Sequence, residues 1–198
     1  MCLLLRHGGA TLEVHEHFQR RTFRNRTTIL TDHGPLDLSL PLRHGNRGSV
    51  KQNIQEVLLD ETANGPLKHW RALETSYAKA PFFEHYAPYF EAIFRQPPPD
   101  LFTLNHQLLT LCLKLTQIDI KLDSSKEFVK SVGPEELDCR DSITPRASYA
   151  LRSWYRPTPY YQVFGDNFIP NLSIVDLLFC EGPRSPDILW QSVEKEVT

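Results

Sequence analysis

Polar and apolar residues alternate one by one through the opening of the chain, and this period of two predicts strands whose side chains point to opposite faces. In LEVHEHF, Leu12 and Val14 fall on one side and Glu13, His15 and His17 on the other. TFRNRTTIL continues the pattern, with Phe23, Thr27 and Ile29 on one face and Arg24 and Arg26 on the opposite one. TDHGP then supplies turn residues, and LDLSLPL sets leucines 36, 38, 40 and 42 against polar residues and proline. These segments predict a hairpin. Pro41 has no N–H to give to a ladder, so its strand is an edge or ends there. RHGNRGSVKQN, with Arg43, Arg47 and Lys51, reads as a loop, and IQEVLLD as a further, weaker strand.

From residue 66 the apolar positions recur every three to four residues, the repeat of an amphipathic helix. PLKHWRALETSYAKA places Leu67, Trp70, Leu73 and Tyr77 on one face and Lys68, Arg71, Thr75 and Lys79 away from it. Pro81 ends this helix and opens the next, since proline fits a first helical position. FFEHYAPYFEAIF carries six aromatics in thirteen residues. Pro88 interrupts it, which predicts a kink or two short helices. After the stiff QPPPD loop, LFTLNHQLLTLCLKL forms a helix with a stripe of Leu101, Leu104, Leu108, Leu111, Cys112 and Leu115.

IDIKL alternates as a strand, and SSKE offers a capping box of Ser124 and Glu127. Residues 131–158 are polar and irregular, and YYQVF reads as one more strand. NLSIVDLLFCEGP carries the marks of a short buried helix: Ser173 as N-cap, Asp176 three residues on, Leu172 and Leu177 as a staple, and Gly182-Pro183 as the stop. Strands and helices interleave, so the expected class is α/β (mixed α+β). A single domain over 1–198 is expected, with an N-terminal hairpin or sheet packed on helices.

Charge changes the picture at one place. The chain of 198 residues has 22 Lys+Arg against 24 Asp+Glu, a formal charge of −2, so no global field draws it to nucleic acid or an acidic membrane. Yet residues 1–52 hold eight Lys/Arg against four Asp/Glu, and four of those arginines lie between Arg20 and Arg26. Anion binding is therefore expected to be local. Cys2, Cys112, Cys139 and Cys180 are scattered without a C-x-x-C pair, which reads as free thiols in a reducing compartment. The apolar run at MCLLLRHGG is too short for a secretory leader or a membrane span, so a cytoplasmic location is expected.

The common nucleotide, hydrolase and zinc-protease signatures are absent from the sequence. On one strand face Arg24 and Arg26 would stand roughly 7 Å apart, close enough to clamp a phosphate or carboxylate. The alternative is that Glu13, Glu16, Asp32 or Asp37 neutralise them within the protein. His15 and His17 share a face, but neighbouring arginines repel a cation and a third ligand is lacking, so neither metal nor cofactor is expected. In DCRDSITPR, Asp138, Arg140, Asp141, Thr144 and Arg146 either pair among themselves or place a general base, Asp138 or Asp141, beside a bound anion. Asn171, Ser173 and Asp176 are explained by a helix start, which is also a natural anion seat.

Five segments together resemble the WbqC-like protein family: HEHFQRRTFRNR with LSLPL, KHWRALETSYAKAPFFEHY, LDCRDSITPR, PYYQVF, and FIPNLSIVDLLFCEGP. They follow the family's order over about residues 12–183. The resemblance implies a bacterial cytoplasmic protein of O-antigen or related cell-surface polysaccharide synthesis, and implies no particular reaction. It marks Gln19, Arg20, Arg24, Asn25, Arg26, His69, Trp70, Asp138, Arg140, Asp141, Tyr160, Tyr161, Gln162, Pro170, Asn171, Ser173 and Asp176 as motif positions. Family members usually begin with a strand and a Tyr-Leu-Pro-Pro-like turn into a helix, and this chain is expected to start after that element. Cys180 stands where the family often has asparagine.

The resulting expectation is an enzyme that binds a phosphate-bearing sugar or nucleotide-sugar. Arg20, Arg24, Asn25, Arg26, Arg140, Tyr161, Gln162 and Asn171 would form the binding set. Asp141, His69 or Asp138 would move a proton. The alternative is a non-catalytic subunit or scaffold that meets a protein partner through exposed aromatics of WYRPTPYYQ. Nucleic acid is disfavoured, because one basic strand offers too few phosphate contacts.

Overall fold

The alternating N-terminal segment forms the expected hairpin in a computed structural model that describes residues 1–43 and 52–194. Strand β2 (Arg26–Thr31) pairs antiparallel with β3 (Gly34–Ser39), and Asp32 and His33 form the two-residue turn. Thr31 Oγ1 closes that turn by donating to the Gly34 carbonyl at 2.8 Å, while Gly34 takes φ 99°, which favours glycine. The strand ends at Ser39, two residues before Pro41. The loop expected over residues 43–53 falls largely at 44–51, outside the described residues.

Helix α2 (Gly65–Tyr77) buries Trp70, Leu73 and Tyr77 as the periodicity requires. Helix α3 (Phe83–Arg95) is one continuous helix that contains Pro88, correcting the alternative of two short helices. Proline there lies past the first turn and removes one backbone hydrogen bond. Helix α4 (Leu101–Leu115) starts where Asp100 caps the Thr103 N–H at 2.7 Å. Helix α5 (Ile174–Glu181) follows Ser173 and stops at Gly182, whose φ of 53° ends it.

Phe179 of α5 anchors the main apolar cluster, with the rings of Tyr77, Phe83 and Phe90 at 5.4, 5.1 and 5.5 Å. Each such aromatic contributes about 1.5–3 kcal/mol on burial. Leu40, Ile54, Val57, Leu59, Leu101 and Leu104 form a second cluster.

Several expectations are corrected. Residues 2–7 form helix α1 (Cys2–His7). Strand β1 (Gly9–Leu12) ends where LEVHEHF was expected to begin. It pairs in parallel with β4 (Lys121–Ser124), a contact across more than a hundred residues that no local pattern announces. Arg24 lies in a turn before β2, so it does not share a strand face with Arg26. IQEVLLD forms a short 3-10 turn at Ile54–Glu56 followed by isolated bridges of Leu58 with Asp100 and Leu59 with Leu42, in place of a continuous strand. SSKE caps no helix, and YYQVF is irregular. A further helix, α6 (Ser185–Gln191), packs Ile188 and Leu189 with Cys2 and Leu5 of α1. Among the described residues, no helix is long and apolar enough to cross a membrane.

Candidate functional site

Two parallel strands end side by side at Leu12 and Ser124, and the residues just beyond them build a polar cluster. Ser125 N donates to the Leu12 carbonyl at 2.9 Å. Its hydroxyl accepts from Val14 N at 3.1 Å and donates to Glu13 Oε1 at 2.8 Å. Glu13 also accepts from His15 N and Val129 N, each at 2.8 Å. Burial pushes the Glu13 carboxyl upward, but these hydrogen bonds and the Arg140 charge outweigh it and hold the group below its ordinary range.

Arg140 reaches this cluster from the irregular segment. Its Nη1 donates to the Val129 carbonyl at 2.6 Å and lies 3.9 Å from Glu13 Oε2. Its Nε and Nη2 face Asp138, with Nε 2.9 Å from Oδ1. The guanidinium also lies over the Phe128 ring, 5.7 Å from its centroid. These bonds hold the Asp138 carboxyl down to about 2. A group so acidic is a poor general base near neutral pH. Asp141 is exposed one residue further on.

Arg24 enters from the other side. Glu16 Oε1 accepts from Arg24 Nε at 2.6 Å, Glu16 Oε2 accepts from Nη2, and the Glu16 charge also acts on Arg140. The segments around Arg24 and Arg140 therefore converge through the native carboxylates Glu13 and Glu16. Arg20 and Arg26 differ: both are exposed, and among the described residues neither has an ion pair. The anion clamp expected from Arg24 and Arg26 is thus divided, with one member committed inside the protein.

Residues 160–162 belong elsewhere. Asp176, fully buried on α5, accepts from Tyr77 Oη at 2.8 Å, Tyr160 Oη at 2.6 Å and Gln162 Nε2 at 3.0 Å. Tyr77 Oη in turn accepts from Leu30 N at 3.0 Å, tying the hairpin to the same carboxylate. Burial pushes the Asp176 carboxyl up, against the pull of these hydrogen bonds. Gln162 spends its amide on Asp176 and on both backbone groups of Ile169, so it is not free for a sugar hydroxyl. This is structural wiring. Asp176 lies in the first turn of α5 between the buried Val175 and Leu177, an apolar setting that marks it as inward-facing.

The remaining candidates are dispersed. Asn25 is held by Leu40, its Nδ2 donating to the Leu40 carbonyl at 3.0 Å. Asn171 adopts φ 59° and accepts from Arg152 Nη1 at 3.0 Å, while Arg152 Nε and Nη2 have no hydrogen-bond partner among the described residues. Tyr161 is 59% exposed. His69 is buried on the inner face of α2, and burial lowers its pKa against a backbone hydrogen bond to Ser39. Among the described residues its Nε2 has no hydrogen-bond partner. Of the aromatics in WYRPTPYYQ, Trp154, Tyr155 and Tyr160 pack against the apolar cluster of α1 and α6, which leaves Tyr161 to the surface. Among the described residues, no group of three or more His, Cys, Asp or Glu side chains forms a metal cage. Ser125 and Arg152 carried no sequence signal, because their partners are remote in the chain.

The chain belongs to the WbqC-like protein family, whose model matches residues 12–142 and 148–188. It is similar to Uncharacterized protein Rv1507c of Mycobacterium tuberculosis (strain ATCC 25618 / H37Rv), 29% identical over 198 residues that cover 87% of this chain and 83% of that protein. No solved structure matches it.

Proposed function

We propose that this protein is an enzyme of bacterial cell-surface polysaccharide biosynthesis, of the O-antigen type, acting in the cytoplasm on an anionic sugar or nucleotide-sugar precursor. The supporting observation is the polar cluster beyond the carboxyl ends of β1 and β4, with exposed Arg20 and Arg26 on the segment that supplies Arg24 to it. In this reading Arg20 and Arg26 receive the anion, while the Glu16–Arg24 and Asp138–Arg140 pairs hold the surrounding segments in place. Asp141 moves the proton, because its neighbour Asp138 stays ionised and His69 is buried. Incubating the purified protein with sugar phosphates and nucleotide sugars, and following products by mass spectrometry, tests this. D141N should stop turnover and leave binding intact, whereas R20Q/R26Q should abolish binding. Unchanged affinity in R20Q/R26Q contradicts the reading.

A further inference from the structure

The turn that carries the exposed arginines is pinned at several points. Thr22 Oγ1 donates to the Gln19 carbonyl at 2.9 Å and accepts from Arg24 N at 3.4 Å, closing the turn on itself. Beyond it, Arg24 is gripped by Glu16, and its carbonyl accepts from Asn105 Nδ2 of α4 at 2.7 Å. Asn25 is joined to Leu40 through side chain and main chain. Arg21 holds a left-handed backbone, φ 61°, which a non-glycine residue adopts at a cost. On this frame Arg20, Arg21 and Arg26 are exposed without ion pairs among the described residues. Phe23, in the middle of the same turn, is 36% exposed.

We propose that residues 19–26 form a recognition loop for the nucleoside diphosphate part of a nucleotide sugar. The base stacks on Phe23, and Arg20, Arg21 and Arg26 receive the two phosphates. This rests on the anionic-precursor reading above and narrows it, since a simple sugar phosphate has no aromatic group to engage Phe23. Guanidinium forks match phosphate oxygens in geometry and charge. An aromatic face stacks on any base, so the loop selects for a base joined to a diphosphate more than for one base over another. The pinned backbone lowers the ordering cost of binding.

Calorimetric titration of UDP, GDP and inorganic pyrophosphate into the full chain tests the proposal. Both nucleotides should bind about tenfold more tightly than pyrophosphate, the margin supplied by stacking. F23A should erase that margin without weakening pyrophosphate, and F23W should restore it. R20Q/R21Q/R26Q should abolish binding of all three ligands. Pyrophosphate binding equal to that of the nucleotides in the wild type overturns the stacking proposal and leaves the anion reading standing; loss of all binding in the wild type overturns both. Co-sedimentation with phosphatidylserine vesicles without nucleotide binding assigns the loop to a membrane surface and likewise overturns the proposal.

Discussion

Glu16 grips the Arg24 guanidinium with both carboxylate oxygens across eight residues of chain, and each side chain is 16% exposed. A pair this sheltered leaves an uncompensated charge when one partner is removed. E16Q and R24Q should each destabilise the protein by about 1–3 kcal/mol. The double variant should recover part of the loss, and a double-mutant cycle by urea unfolding reads the coupling.

Asp176 joins α2, α5, the hairpin and the 160–169 loop through three donors. D176A strands those donors in the core and should cost about 2–4 kcal/mol. D176N keeps an acceptor and should cost less. Since burial raises the folded-state pKa, ionisation of Asp176 works against stability as pH climbs above the ordinary value of 3.8. Thermal midpoints of D176N should lack that downward component.

The Arg140 latch has the opposite pH dependence. Glu13 and Asp138 both titrate below their ordinary values, so their contribution is complete above about 4.5 and fades with acid, for Asp138 between 3.8 and about 2. Amide exchange in residues 128–142 should accelerate over that window. E13Q and D138N should show fast exchange already at neutral pH.

Gly182 ends α5 in a conformation that favours glycine, and a Cβ there would lie 2.4 Å from the Phe82 ring. G182A should cost about 2–4 kcal/mol in chemical denaturation. F82A should relieve the clash but not the backbone strain, so the double variant should recover only part of the loss.

Local signals carried much of this fold into the sequence. The turn at Asp32-His33, the apolar face of α2, the α4 stripe and the Gly182 stop all follow from periodicity and capping within a few residues. The β1–β4 pairing and the grip of Glu13 on Arg140 join residues more than a hundred positions apart, so no window of sequence contains them. The candidate site was legible in part. Of the acids named as neutralisers for Arg24 and Arg26, Glu16 pairs with Arg24, while Glu13 faces Arg140 of DCRDSITPR instead. What period-two reading mistook was the start of β2: Arg24 sits in the preceding turn, where Glu16 can reach it. Gln162 and Asp176 resemble site residues in sequence because buried polar networks use the same side chains that sites use.

Arg20 and Arg26 are exposed and, among the described residues, have no native carboxylate partner. Titrating a nucleotide sugar into the wild type, R20Q/R26Q and D141N by calorimetry tests this most directly. Binding should be lost in R20Q/R26Q, preserved in D141N, and accompanied by unchanged thermal midpoints in both. Equal affinity in the wild type and R20Q/R26Q would contradict it.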